Sequence, residues 1–432
     1  MEGRDDLGGL LLETAPNAII GWTLIVMLVF AIVATVIEGA FNWAFFTALA
    51  VVIVLLPAIA FRDPLVMPSW ELVVIVSVPV LWEVLLGWRF ATDIPIYFAV
   101  AALALVVVVE VHRFTAVRMN HSFAVGFVVL TTLAVAGIWN VLQWLSDVYL
   151  GTAFVLDGRS QDAINAAVMI EFIYAGIAGL GAGIVFDRYF RIRDRSPTDR
   201  TYVPPKPVPP EDVRPDDRKK LRDVIGISPR RQRQATRGMQ VVLVFVLVFG
   251  LAIGDLPTIV NAAVALAITF VPALLERDYE LPMDPGLVLW ITTAVFLHAL
   301  GSAGLYYAID PWDHLTHALS ASVVAAVGYA LFRAVHLHTD EVYIPPKVMA
   351  VFILVFVLAA GVLWEILEFL IDESADVLGL EAILAQHGID DTIVDLIFNV
   401  VGAVIVTIWG TAYLTDVSDG IAERLDRRFD GE

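Results

Sequence analysis

The chain has 432 residues, of which 59% are hydrophobic, with a mean hydropathy of +0.79 and a net charge of −19. A soluble protein of this length does not sustain repeated apolar runs of about 20 residues, so the composition excludes an ordinary soluble enzyme and predicts an all-α polytopic membrane protein. The absence of cysteine excludes disulfides, thiolate zinc sites and cysteine nucleophiles, and the acid excess predicts no nucleic-acid partner.

Taken in chain order, the N-terminus "MEGRDDLGGLLLE" is acidic, and the apolar run behind it is of membrane length, so no signal peptide is expected. Window hydropathy predicts about twelve spans. Six precede residue 187, at 17–37, 41–61, 69–88, 94–111, 121–146 and 162–186. Six follow residue 238, at 239–254, 257–275, 286–308, 312–333, 347–371 and 391–414. Between them, residues 188–237 hold 15 Lys/Arg and 7 Asp/Glu in a Pro-rich run. This segment reads as a semi-extended linker with a short helix near 215–225. The acid-rich remainder suits a high-salt environment.

Lysine and arginine asymmetry orients the chain. With both termini and the linker cytoplasmic, only Arg89 and Arg159 lie outside. The expected location is the cell membrane, with the lipid bilayer as the first partner. The linker's bases serve topology, with anionic lipid as a second role.

The two sets of six spans also resemble each other. "LPAIAFRDPLVMPSWELVVIVSVPVLWEVLLG" parallels "VPALLERDYELPMDPGLVLWITTAVFLHALG", and "AGIWNVLQWLSD" parallels "AGVLWEILEFLID". Pro57/Pro272, Arg62/Arg277, Asp63/Asp278 and Trp139/Trp364 are shared in order. The expectation is two parallel six-helix repeats, 1–187 and 238–432, related by an axis along the membrane normal.

Polar residues concentrate in the second set. Span ten opens with "DPWDHLTH", placing Asp313, His314 and His317 within one turn. Span eleven ends with Glu365, Glu368 and Asp372, spaced three and four. Span twelve opens with Asp391, Asp395 and Asn399, spaced four and four. The orientation carries all three stripes to the outer end of the bundle. Several carboxylates together in low dielectric cannot all stay ionised without partners. Three answers remain open: protonation, pairing with histidine, or a bound divalent metal ion. Asp313, His314, His317, Asp391 and Asp395 are candidate ligands for such an ion. Glu365 and Glu368 are candidate general bases for metal-assisted hydrolysis. Asn399, Asp372 and the lone mid-span His298 are supporting candidates.

Each has a plainer reading. Asp310, Asp372, Glu373 and Asp390 sit where acids are often interfacial, and Asp391 suits a helix cap. Glu365, Glu368, His317 and Asp395 also suit a buried hydrogen-bond network, and Asn399 a packing contact. His336, His338 and His387, with Gly379 and Gly388, read as loop residues. The first set offers a comparison: opposite Glu365, Glu368 and Asp372 stand Asn140, Gln143 and Asp147. Opposite Asp391 and Asp395 stand Asp162 and Ala166. Glu83, Glu110 and Glu171 lack a matching set and read as peripheral. The charged cluster is thus expected once, with the first half as scaffold.

"DPWDHLTHALSASVVAAVGY", "VLWEILEFLID" and "DDTIVDLIFNVVGAV" resemble the YjdF-like inner-membrane proteins. Their pattern is an Asp…His start, then W/Y-E-x-x-E-W/F, then Asp-Thr-x-x-Asp-x-x-x-Asn-x-x-Gly. A weaker likeness joins the VanZ-like proteins, which are linked to glycopeptide resistance and so to surface chemistry. The resemblance covers about 286–414 and marks Asp313, His314 or His317, Glu365, Glu368, Asp391, Asp395, Asn399 and Gly402. It marks residues without naming a reaction. Three functions stay open: a metal-dependent membrane hydrolase acting on a lipid-like or cell-surface substrate, a cation- or proton-coupled transporter, and a structural protein with a polar clasp.

Overall fold

A computed structural model describes residues 5–86, 94–193, 227–281, 283–309, 311–339, 341–380, 386, 388–409 and 421. Its helices are α1 (Asp5–Ile37), α2 (Phe41–Phe61), α3 (Trp70–Leu86), α4 (Ile94–Phe114), α5 (His121–Leu150) and α6 (Gln161–Arg193). After the linker come α7 (Pro229–Ile253), α8 (Leu256–Ile268), α9 (Val271–Tyr279) and α10 (Pro285–Leu300). A π-helical turn, Gly301–Leu305, leads to the single-turn α11 (Tyr306–Ala308). The chain continues with α12 (Trp312–His338), α13 (Pro346–Val377) and α14 (Ile389–Trp409). No β-strand occurs among the described residues. The protein is an all-α polytopic membrane protein.

Among the described residues, ten stretches are long and apolar enough to cross a bilayer. Twelve were expected, and a helix stands at each expected place. The two outside the ten are α3 and α14. At 17 residues α3 reaches about 26 Å, short of the usual ~20-residue span. Large side chains such as Phe30, Ile177 and Phe245 are exposed, as lipid contact requires.

Three expectations change. Helix α7 begins at Pro229, ten residues before the expected span, so the end of the linker is helical. The short helix expected near 215–225, Arg89, Asp310 and His387 lie outside the described residues. Expected span eight is two helices, divided at Thr269–Phe270 ahead of Pro272. Expected span nine breaks at Gly301–Leu305, where Gly304 takes φ 125°, a conformation that excludes a regular helix and favours glycine.

The chain divides into two compact units. The first holds residues 1–136 and 171–201. In it α1 packs on α2 and α3, and α3 on α4. Asn17 fastens α1 to the start of α3: its Nδ2 donates to Pro68 O at 3.0 Å, and its Oδ1 accepts from Trp70 N at 2.6 Å. Glu110 on α4, read above as peripheral, is buried, and its Oε1 has no hydrogen-bond partner among the described residues.

The second unit holds residues 137–170 and 202–432. It therefore takes in the end of α5 and the start of α6. Helices α12, α13 and α14 pack mutually, α10 lies on α12, and α7 and α8 lie on α10. The approach of α12 to α14 is set by Gly402: a Cβ there would sit 2.3 Å from Ala318 O and 2.9 Å from Ser322 N. Likewise Gly361 on α13 lies under Asn399, whose Nδ2 would be 2.7 Å from an added Cβ. Small residues let helix backbones meet closely where no hydrophobic force drives them together. That closeness brings the polar ends of three helices to one place.

Candidate functional site

The start of α12 is fixed by Trp312, whose Nε1 donates to Leu297 O on α10 at 3.0 Å. Asp313 and His317 then follow one turn apart on the same face. His317 Nε2 lies 3.6 Å from Asp313 Oδ1 and 3.5 Å from Asp395 Oδ2 on α14. One ligand atom from each of Asp313, His317 and Asp395 falls within 4.8 Å of the others. Asp395 is buried, and its Oδ1 has no partner among the described residues.

Glu365 and Glu368 approach from α13. Both are buried. Glu365, Glu368 and Asp395 lie within electrostatic range of one another and of Asp313 and Asp391. Glu365 Oε2 accepts from Gln386 Nε2 at 3.0 Å, whereas Oε1 is buried without a partner among the described residues. Unsatisfied buried polar atoms are rare in native proteins and ask for an ion, a proton or a ligand.

The remaining predicted residues divide. Asp391 lies in the first turn of α14 and not at its cap, because the helix begins at Ile389. It is within electrostatic range of His317. His314 does not join the triad. Its ring stacks on Phe398 at 4.6 Å and 8°, which fixes its plane on the α14 side chain. Asn399 covers Gly361 and acts in packing. Asp372 Oδ2 accepts the backbone N–H of Gln386 at 3.1 Å and so holds the following loop. Asp147, its expected counterpart on α5, does the same with the N–H groups of Phe154, Val155 and Leu156. Asp390 is no bare interfacial acid: it accepts from Trp144 Nε1 at 2.6 Å and Gln161 Nε2 at 3.1 Å.

His298 belongs to a neighbouring pair. Its Nδ1 lies 2.6 Å from Tyr306 Oη, and Tyr306 Oη lies 3.4 Å from Thr316 Oγ1. The π-helical turn makes this possible. Tyr306 folds back over Gly301, where a Cβ would stand 2.3 Å from Tyr306 Cζ. Tyr306 is within electrostatic range of Asp313, Glu368 and Asp395.

Sequence reasoning missed Asn165, Gln386, Thr392 and Tyr306. Asn165 Nδ2 donates to Gln386 Oε1 at 2.7 Å, and Asn165 Oδ1 accepts from Thr392 Oγ1 at 3.0 Å. The comparison of the two halves weighed Asp162 and Ala166 and passed over Asn165 between them. The signal for Tyr306 was present in "GSAGLYY", where two glycines precede a tyrosine.

Residues 235–416 match the model of a family described as a predicted membrane protein (DUF2238). The similarity is to a membrane-protein family. Residues 5–67 match a domain of unknown function (DUF8268). An uncharacterized protein of Thermotoga maritima (strain ATCC 43589 / DSM 3109 / JCM 10099 / NBRC 100826 / MSB8) is 33% identical over 136 residues, 31% of this chain and 66% of the relative. The chain thus spans just under two thirds of that relative's length. No solved structure matches. The YjdF-like resemblance agrees with the DUF2238 match, and nothing in these matches supports the VanZ-like one. The matched region contains Asp313, His317, Glu365, Glu368 and Asp395; Asn165 lies outside it.

Proposed function

We propose that the chain is a membrane-embedded, metal-dependent hydrolase acting at the outer face of the cell membrane on a lipid-like substrate. Asp313, His317 and Asp395 hold a first-row divalent cation, and Glu365 or Glu368 is the general base. One observation carries this reading. The 3.5 and 3.6 Å separations around His317 Nε2 are long for a hydrogen bond. They suit two ligand atoms about 3.3 Å apart around a tetrahedral ion with ~2.0–2.1 Å bonds. One imidazole and two carboxylates fit zinc, manganese or iron. An ion held by these three residues would polarise a water, and Glu365 or Glu368 would take the proton as that water displaces the substrate's leaving group. The outer-face placement rests on the Lys/Arg asymmetry, and the division into two repeats on the sequence parallels.

Elemental analysis of purified full-length protein tests the proposal. About one equivalent of transition metal is expected, lost when His317→Ala and Asp395→Asn are combined. A metal-free protein, or metal that survives the double substitution, overturns it.

A second reading has one observation in its favour. The break at Gly301–Leu305 stands beside the cluster, and transporters place ion sites at interrupted helices. Cation-dependent uptake into proteoliposomes would favour a coupled transporter over the hydrolase.

A further inference from the structure

The amide of Asn165 is buried in the first turns of α6, and its hydrogen-bond partners lie in the other half of the sequence. A hydrogen-bonded line runs from α14 through α6 to α13. Thr392 Oγ1 donates to Asn165 Oδ1 at 3.0 Å; Asn165 Nδ2 donates to Gln386 Oε1 at 2.7 Å; Gln386 Nε2 donates to Glu365 Oε2 at 3.0 Å. Thr392 and Asn165 are buried. Each group in the line uses a donor toward the next acceptor, so the amide orientations are mutually consistent. Gln386 is held at a second point, through its N–H on Asp372 Oδ2. The start of α6 is anchored separately, since Gln161 Nε2 donates to Asp390 Oδ2 at 3.1 Å and Asp390 N donates back to Gln161 Oε1 at 3.0 Å.

We propose that Asn165 is a positioning residue for Glu365, acting through Gln386 so that Glu365 Oε2 is occupied and Oε1 is the oxygen presented to the site. This rests on the reading of Glu365 as a general base. A catalytic carboxylate works only when held in one orientation, and buried side-chain partners supply that constraint. The segment 137–170 is then a working part of the site, supplied from outside the region that matches the membrane-protein family. A plain packing role for Asn165 would need the amide's volume and not its directed hydrogen bonds.

Infrared spectroscopy of the full chain in lipid nanodiscs tests the proposal, with the Glu365 carboxyl band assigned by its loss in Glu365→Gln. Asn165→Leu and Asn165→Val sever the line at Asn165; Thr392, which also lies within hydrogen-bonding range of Glu365 itself, is left unchanged. Both are expected to displace the band. Trp144→Phe removes a neighbouring hydrogen bond to Asp390 outside the line and is the control, expected to leave the band in place. If Asn165→Leu fails to fold, Asn165→Val gives the same reading. A band at the wild-type position in the severed variants overturns the proposal, as does an equal displacement by Trp144→Phe. A parallel Co²⁺ titration of the unmodified protein separates the two readings: absence of Co²⁺ binding overturns the hydrolase and leaves the band result to judge the positioning role.

Discussion

His317 is the residue on which the cluster turns, since it lies within 4 Å of carboxylates from two helices. Its replacement should therefore reach further than that of a supporting residue. Changes to groups that merely orient a metal ligand cost about 10–100-fold in affinity. His317→Ala is expected to exceed that loss in Co²⁺ or Zn²⁺ titrations, while His314→Ala, which removes a ring stacked on Phe398, is expected to stay within it. Glu365 and Glu368 allow a second test. Buried like charges without full hydrogen bonding destabilise a fold, and an unsatisfied buried group costs about 1–3 kcal/mol. The pair Glu365→Gln, Glu368→Gln is therefore expected to melt at or above the wild-type temperature. A clear fall would mean that the two carboxylates clasp the bundle and are not kept for chemistry.

At the scale of elements, the stripes of α12, α13 and α14 were legible because spacing of three and four puts residues on one helix face. Periodicity reports a face but not the distant partner that meets it. Asn165 and Gln386 are 221 positions apart, and an amide in an apolar run carries no charge to mark it. The break at Gly301–Leu305 escaped for a related reason, because its hydropathy is that of a continuous span. Spacing alone does not separate His314 from His317, and the stack of His314 on Phe398 is what distinguishes them in the structure. Two glycines make the element-level tests. Gly402→Ala places a methyl 2.3 Å from a backbone carbonyl that cannot move aside, so a loss of about 1–3 kcal/mol is expected in thermal unfolding. Gly301→Ala meets the Tyr306 ring instead, which can swing away. A smaller loss of stability is expected there, together with loss of the Tyr306–His298 hydrogen bond, seen as a shift of the tyrosine C–O stretching band.

For the whole molecule, composition alone was enough to read an all-α membrane protein, because no other architecture satisfies backbone groups in so many apolar runs except a closed barrel. The orientation proposed from charge is directly measurable, because the sequence has no cysteine. Asp157→Cys, in the exposed α5–α6 loop, is expected to react with a membrane-impermeant maleimide on intact cells. Arg231→Cys, exposed on α7, is expected to react only after lysis. The reverse pattern would move the polar cluster to the inner face and end the outer-leaflet reading.

The early start of α7 has a mechanical side. Pro229–Ile253 is one uninterrupted helix, so about ten residues of arginine-rich chain and an apolar span form a single stiff rod. A flexible joint between linker and bundle would absorb a pull or a twist, and this rod has none. Any force applied to the chain at Ser228 is delivered without slack to α8 and α10, the helices against which α7 lies. Because the last turn of α10 holds His298, which meets Tyr306, the rod of α7 bears on the helix that carries one member of this pair.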